Sequence, residues 1–242
     1  MDGAALLRIA TARGREMGRH SACGTMASLG AAPEVVARIT ATLPVVISGY
    51  NGPGQTVVAG PVDAVEAACR LAVADGIVAT RLAVSHAFHS PLVAPAAESF
   101  GAALAAEPLA PVYGRIISTV TGAALDPETD LAALLCRQIT DPVLFSQALA
   151  LAAKEVDLFV EVGPGRVLTR LAAAAVDTPA VALDTDDESL ASLLRVLGEA
   201  YVTGAARVDP ALFHGRLIRP LAGGAARSGG GARSEERRVG NV

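Results

Sequence analysis

The sequence predicts an α/β fold in which a parallel sheet flanked by helices contains a smaller inserted module. Between residues 24 and 84, apolar runs follow one another as strand, helix, strand, strand, helix and strand. Between residues 85 and 205, helical stretches alternate with short β-rich runs, which is typical of a parallel sheet with helices on its faces. Because the first unit begins and ends inside the chain, we expect it to be an insertion into a larger subdomain.

The chain is predicted to open in a helix over residues 1–22. Apolar residues recur there close to helical spacing, at Leu6, Leu7, Ile9, Ala10 and Met17. A helix that starts almost at the first residue is typical of a piece of a longer protein, so we expect a fragment.

The inserted module has the clearest pattern of predicted strands and helices. Its predicted strands are residues 24–30, 45–51, 55–60 and 77–84, and its predicted helices are residues 31–43 and 61–76. Pro33 suits a first helical turn, Gly52-Pro53-Gly54 marks a turn between two strands, and Gly76 ends the second helix. This βαββαβ order predicts a ferredoxin-like unit over residues 23–84.

The remaining elements are predicted from residue 85 onward. We expect helices at 91–107, 129–139, 142–154, 165–175 and 187–204, and strands at 114–120, 158–163 and 180–184. Ligands on such sheets collect at the carboxyl ends of the strands. Residues 223–242 hold six glycines, four arginines and almost no large apolar side chain, which predicts a disordered tail, a linker or expression remnant rather than a functional basic tail.

Composition excludes several classes of protein. A hydrophobic content of 52% with 18% charged residues predicts a sizeable core, and a net charge of −4 argues against nucleic-acid binding. No apolar run reaches the ~20 residues of a membrane span, and no signal peptide is present. Three scattered cysteines, Cys23, Cys69 and Cys136, fit a reducing compartment. We therefore expect a cytoplasmic protein with no nucleic-acid or membrane partner.

Two histidines three residues apart, His86 and His89, follow a predicted strand in "RLAVSHAFHSPLV" (81–93). A metal site is disfavoured because no third ligand follows at zinc spacing, so we expect no bound metal. A general base is possible, since imidazole titrates near neutrality, and so is a pair of polar loop residues. Spacing leaves these two roles open.

Four motifs together carry a family resemblance. They are "TARGREM" (11–17), "HAFHS" (86–90), "CRQITDPVLF" (136–145) and "FVEVGPGRVLTRL" (159–171). In this order around the inserted module, they resemble the acyltransferase domain of polyketide synthases and the malonyl-CoA:acyl-carrier-protein transacylases of fatty-acid synthesis. The resemblance implies an incomplete α/β-hydrolase-like sheet subdomain, of which residues 85–205 are the remainder. "FHGRLIRP" (213–220) resembles the segment that follows such domains, so residues 206–222 are expected to be a linker.

The resemblance assigns roles to five residues. His89 falls on the catalytic base, and Gln138 on the residue whose main-chain carbonyl orients that histidine. Arg13 falls on the arginine that holds the malonyl carboxylate, a bidentate contact that suits a guanidinium. His86 and Phe88 fall on the extender-unit pocket, where "HAFH" resembles the malonyl type and Phe88 would crowd a 2-methyl group. Without the resemblance, Arg13 and Gln138 would be ordinary polar residues of a helix.

The resemblance implies an enzyme that moves malonyl from CoA to a serine and then to the phosphopantetheine thiol of an acyl carrier protein, with no bound cofactor. Its expected partners are that carrier protein and the adjacent ketosynthase and other synthase domains. The family's "GHSxG" serine is absent from the chain, and neither Ser21 nor Ser90 is expected to replace it. The fragment alone is therefore expected to be inactive. The alternatives are a non-catalytic remnant that contacts carrier or neighbouring domains, and an acyl-thioester hydrolase on the same scaffold.

Overall fold

The first helix, α1 (Gly3–His20), places Ala5, Ile9 and Met17 on one buried face. In the computed structural model, which describes residues 3–186 and 188–207, this face packs against α4 (Ala94–Leu104). The two helices and α5 (Leu131–Thr140) enclose a core cluster made of Ile9, Met17, Val93, Ala96, Phe100, Leu104 and Ile139. This cluster supports the segment that carries the histidine pair, because Phe88 packs against it.

A four-stranded antiparallel sheet follows α1 and has the strand order β2-β3-β1-β4. Its elements are β1 (Thr25–Leu29), α2 (Pro33–Ile39), β2 (Val46–Gly52), β3 (Gln55–Gly60), α3 (Val62–Ala74) and β4 (Ala79–Arg81). The chain therefore runs βαββαβ through this region. A second core cluster lies between sheet and helices and contains Ala27, Leu29, Val36, Val58, Val65 and Ala72.

The last strand of this sheet is shorter than the eight residues predicted for it. The ladder ends soon after Arg81: the main-chain N–H of Leu82 still donates to the Met26 carbonyl, at 2.9 Å, and that of Val84 donates back to the Leu82 carbonyl, at 2.9 Å. Leu82 and Val84 instead pack with buried Ala87 in a third apolar cluster. Burial of these side chains thus turns the chain out of the sheet.

The rest of the chain alternates helices and strands. After a 3₁₀ turn (Pro91–Val93) and α4 come β5 (Ile117–Ser118), β6 (Ala123–Ala124), α5, α6 (Phe145–Ala152), β7 (Phe159–Gly163), α7 (Val167–Ala175), β8 (Ala180–Asp184) and α8 (Ala191–Val202). Strands β7 and β8 are parallel, with Phe159 opposite Ala180 and Gly163 opposite Asp184. The crossover between them is α7, as expected for a parallel pair.

The strand predicted over residues 114–120 is wrong in length and pairing. It is reduced to β5, which pairs antiparallel with β6 and not with the parallel strands. Gly122, at φ 66°, closes a tight turn in which its N–H donates to the Ser118 carbonyl at 2.8 Å, and the chain folds back on itself. The parallel sheet therefore has two strands in the described part of the chain.

The mixed α/β class is confirmed, whereas the division into an inserted and a large subdomain stays a prediction. The predicted tail, residues 223–242, and all of the predicted linker after residue 207 lie outside the described residues. No helix within residues 3–186 and 188–207 is long and apolar enough to cross a membrane.

Candidate active site

The histidine segment, residues 82–90, lies between β4 and the 3₁₀ turn and next to the residues that precede β1. Cys23 and His86 form an isolated antiparallel bridge, so the main chain of the segment is tied to the residues just before β1. Ala87 is fully buried and packs with Met26 and Val57. Ala87 therefore points into the protein, whereas Ser85, His86, Phe88 and His89 border a cleft.

His89 is held by the main chain at the end of α5. Its Nδ1 lies 2.9 Å from the Asp141 carbonyl oxygen, and its main-chain N–H donates to the Ile139 carbonyl at 3.2 Å. A carbonyl oxygen only accepts, so Nδ1 carries the proton of the neutral ring and Nε2 is left with its lone pair. His89 also has a φ of 58°, in the left-handed region that few residues other than glycine adopt. Strained geometry of this kind is common where a side chain must be aimed.

The acceptor of this hydrogen bond is Asp141, three residues after Gln138. Helix α5 ends at Thr140, and Asp141 is extended, with φ −74° and ψ 148°. Its carbonyl is thereby turned out of the helix and toward the imidazole. The Gln138 carbonyl is also close enough to raise the pKa of His89, but it acts beside the Asp141 carbonyl and does not replace it.

The surroundings of His89 favour its neutral form. Burial is the largest influence and lowers the pKa of the imidazole below its ordinary value, and the positive charge of Arg13 lowers the pKa further. The Asp141 carbonyl and carboxylate and the Gln138 carbonyl oppose this shift without overcoming it. At neutral pH the ring is thus unprotonated and able to accept a proton at Nε2.

Arg13 and His89 line the same cleft, which has a volume of about 550 Å³. Its walls come from α1, β1 and the histidine segment, and the lining residues are Arg13, Gly14, Met17, Gly18, Met26, Leu82, Val84, Ser85, His86, Phe88 and His89. The cleft is bordered mainly by apolar side chains around one permanent cation, an arrangement that suits a small ligand with one anionic end.

The guanidinium of Arg13 has unused hydrogen-bonding capacity. Its Nε is buried, yet it has no hydrogen-bond partner among the described residues. Burial also lowers the pKa of Arg13, which means that removal from water disfavours its charge. Buried donors in folded proteins are almost always satisfied, so an unpartnered Nε is unusual for an arginine that lines a cleft.

His86 and Phe88 form one wall of the cleft as a pair of tilted rings. Their centroids are 5.8 Å apart, at an interplanar angle of 51°. Phe88 packs against two of the core clusters, so its ring is anchored from behind. Of the five residues predicted for the site, four line this cleft, while Gln138 lies behind His89 on α5.

The two serines considered as substitutes for the family's nucleophile have other surroundings. Ser90 is 1% exposed, and its Oγ donates to the Ala87 carbonyl at 2.5 Å and accepts from the Leu92 N–H at 3.3 Å, so it caps the 3₁₀ turn. The Oγ of Ser21 is buried and finds no hydrogen-bond partner in residues 3–186 or 188–207. Neither serine borders the cleft.

Two residues of the site were missed by sequence reasoning. Asp141 acts through its carbonyl, and the only available signal was Pro142, which predicts an extended residue before it and hence a helix end at this point. Ser85 contacts His86 and lies just before the "HAFHS" motif (86–90). No group of three or more His, Cys, Asp or Glu that could hold a metal ion occurs in the described part of the chain.

Comparison with known proteins identifies the family of the chain. The family described as "Acyl transferase domain" matches residues 3–207. The chain is 36% identical over 209 residues to the Mycoketide-CoA synthase of Mycobacterium tuberculosis. This match covers 84% of the chain and 5% of the synthase. It is also 36% identical over 127 residues to the malonyl CoA-acyl carrier protein transacylase of Bacillus subtilis, covering 52% of the chain and 40% of that enzyme.

Solved structures show the same fold. The acyltransferase domain of the iterative polyketide synthase in enediyne biosynthesis superposes with a TM-score of 0.80 and 39% identity, over 89% of this chain and 57% of that one. The malonyl CoA-acyl carrier protein transacylase of Clostridium perfringens gives a TM-score of 0.76 and 27% identity, over 84% of this chain and 66% of that one. The chain thus spans between about half and two thirds of these structures. It belongs to the acyl transferase domain family.

Proposed function

We propose that this chain forms the carboxylate-binding and base-bearing part of a malonyl-type acyltransferase domain. The domain would move malonyl from CoA through a serine ester to the phosphopantetheine thiol of an acyl carrier protein. The observation that carries the proposal is the cleft that Arg13 and His89 line together, with the Nδ1 of His89 hydrogen-bonded to the Asp141 carbonyl. One group suits the anionic end of malonyl, and the other suits proton transfer at its thioester end.

The chemistry divides into two similar steps. In the first, Nε2 of His89 accepts the serine hydroxyl proton while the serine oxygen attacks the thioester carbonyl. The carbon–sulfur bond breaks, and the CoA thiolate leaves with the proton from His89. In the second step the pantetheine thiol gives its proton to Nε2 and attacks the ester, and the serine oxygen regains a proton as it departs.

Arg13 would bind the free carboxylate of malonyl through its planar guanidinium. The half-buried position strengthens this contact because water competes less for the charges. An acetyl group has no carboxylate and would make no such contact. We therefore assign selectivity for a dicarboxylic acyl group to Arg13, and selectivity against a 2-methyl group to the wall that contains Phe88.

The serine would come from a segment that corresponds to the part of the relatives that this chain does not span. No G-x-S-x-G pattern occurs in the 242 residues, and neither Ser21 nor Ser90 borders the cleft. The proposed partners are the serine-bearing segment, the acyl carrier protein and neighbouring synthase domains such as a ketosynthase.

A reconstitution experiment tests this function. The chain is incubated with malonyl-CoA and an acyl carrier protein, alone and together with the serine-bearing segment of a homologous acyltransferase domain, and malonyl on each protein is measured by mass spectrometry. We expect transfer only in the reconstituted mixture. Malonyl bound covalently to the chain alone would contradict the proposal. Free malonate without malonylated carrier would indicate a thioester hydrolase, and carrier binding without either product would indicate an interaction module.

A further inference from the structure

Ser85, which lies just before the "HAFHS" motif, contacts the imidazole ring of His86. The Oγ of Ser85 and Nδ1 of His86 are 2.8 Å apart and share a hydrogen bond, and both residues line the cleft that holds Arg13. Ser85 is exposed to solvent at the mouth of the cleft, while His86 is half-buried. No other side-chain hydrogen bond to the imidazole of His86 is found in the described residues.

The rest of His86 is already fixed. Its main chain is bridged to Cys23, and its ring meets the Phe88 ring at a centroid distance of 5.8 Å. Phe88 in turn is held by packing against buried residues. What remains free in His86 is rotation of the imidazole about its last torsion, which is soft and roughly two-fold. The Ser85 contact distinguishes the two ring positions, since only one of them presents a nitrogen to the hydroxyl.

We propose that Ser85 is a positioning residue for extender-unit selectivity: its hydroxyl holds the His86 imidazole in one orientation, so that the His86–Phe88 wall stays closed to a 2-methyl substituent. The proposal rests on the malonyl-binding function proposed above. It adds Ser85, on the side that faces solvent, to His86 and Phe88, the two residues that form this wall of the cleft.

The physical reason is the small size of the group to be excluded. Pockets discriminate one methyl group by roughly ten- to two-hundred-fold at best, and only where the wall does not yield. An imidazole free to rotate gives way to the methyl group, whereas a hydrogen-bonded one does not. Loss of one neutral hydrogen bond changes an equilibrium by roughly three- to ten-fold, so we expect a relaxation of that size.

Three variants of the chain test the proposal. Ser85→Ala removes the hydroxyl, and Ser85→Thr keeps it. Ser146→Ala is a matched control, because the Ser146 hydroxyl also forms a hydrogen bond with the side chain of the next residue, by donating to Gln147 Oε1 at 2.9 Å, and does not line the cleft. Binding of malonyl-CoA and methylmalonyl-CoA is measured by calorimetry, and the ring nitrogens of His86 are followed by ¹⁵N NMR in histidine-labelled protein.

We expect Ser85→Ala to lower the malonyl preference by roughly three- to ten-fold, mainly through tighter methylmalonyl-CoA binding. The ¹⁵N shift of its His86 Nδ1 should change, because the hydroxyl that hydrogen-bonds this nitrogen is removed. Ser85→Thr and Ser146→Ala should keep the wild-type ratio and shifts. An unchanged ratio or unchanged ¹⁵N shifts in Ser85→Ala, or equal weakening of both esters, would overturn the role of Ser85. Failure of the wild-type chain to bind either ester would overturn the proposed function and this inference with it.

Discussion

His89 Nδ1 lies 2.9 Å from the main-chain carbonyl oxygen of Asp141, so the backbone after α5 orients the proposed base. A second backbone contact, from the His89 N–H to the Ile139 carbonyl, fixes the same residue at its other end. Both carbonyls belong to the last turn of α5 or to the residue just after it. The direction of the imidazole therefore depends on where this helix ends and not on the identity of a neighbouring side chain.

Replacing a side chain at the end of α5 should consequently have little effect. In the domain reconstituted with a serine-bearing segment, we expect Gln138→Ala to keep malonyl transfer within about two-fold of wild type, since every main-chain carbonyl remains. His89→Ala, the comparison variant, should abolish most of the transfer. Steady-state kcat/KM for malonyl-CoA is the measurement, and a loss from Gln138→Ala as large as that from His89→Ala would refute backbone orientation.

The pKa of His89 should lie below its ordinary value and should rise when Arg13 is neutralised. The positive guanidinium disfavours the imidazolium, so Arg13→Met, which keeps most of the stem, removes that repulsion and raises the pKa. Malonate bound to wild-type Arg13 should act in the same direction. ¹H–¹⁵N NMR titration of the His89 ring measures both effects. If the pKa of His89 changes neither with the substitution nor with malonate, Arg13 does not face the base.

The left-handed backbone of His89 predicts an unusual order of stability. At most positions glycine is less stable than alanine by roughly 0.5–1 kcal/mol, because it loses more backbone entropy on folding. At φ 58° alanine is strained by roughly 1–2 kcal/mol, whereas glycine is not. We expect His89→Gly to be at least as stable as His89→Ala in urea denaturation. A clearly less stable glycine variant would show that the backbone here is not left-handed in solution.

Glu161 on β7 predicts a pH-dependent contribution to stability. Its carboxylate accepts hydrogen bonds from the Leu168 N–H at 3.0 Å and from the Thr169 N–H and Oγ1, both at 2.7 Å, which satisfies the start of α7. Burial alone would raise the pKa of Glu161, but the hydrogen bonds from Thr169, Leu168 and Val167 outweigh it and lower the pKa.

A carboxylate whose pKa is lowered by folding stabilises the protein above its unfolded pKa of about 4.3, and this stabilisation is lost as the pH falls through the folded value. Glu161→Gln should therefore be less stable than wild type at pH 7, with the difference shrinking below about pH 4. Urea midpoints at the two pH values measure this. Thr178→Ala, for which no comparable capping contact is found in the described residues, is the control, and a pH-independent difference would contradict the assignment.

Much of the fold could be predicted because local patterns and tertiary packing agree. Strand β3 has the predicted bounds, since its apolar run lies between a Gly-Pro-Gly turn and a proline. The strand predicted after α3 and the one over residues 114–120 came out shorter because side-chain burial in one case, and a glycine turn in the other, redirected the chain. Such effects depend on contacts distant in sequence, which local periodicity does not report.

The side chains that line the candidate site could be predicted from the sequence. Arg13, His86, Phe88 and His89 were named from motifs and meet in one cleft. Asp141 and Ser85 were missed, because a carbonyl acceptor carries no residue signature and a serine before a histidine is common. Their contributions depend on helix termination and on ring orientation, and both become visible only in three dimensions.

Binding of malonyl-CoA and acetyl-CoA to the wild-type chain and to Arg13→Ala, measured by calorimetry, tests most directly whether Arg13 holds the malonyl carboxylate. The two esters share the CoA part and differ in the carboxylate, so their affinity ratio isolates the contact to Arg13. A charge-assisted bidentate contact supports a preference of roughly two orders of magnitude for malonyl-CoA. We expect Arg13→Ala to remove that preference by weakening malonyl-CoA binding while leaving acetyl-CoA binding unchanged. Equal weakening of both esters, or a preference that survives the substitution, would contradict the account.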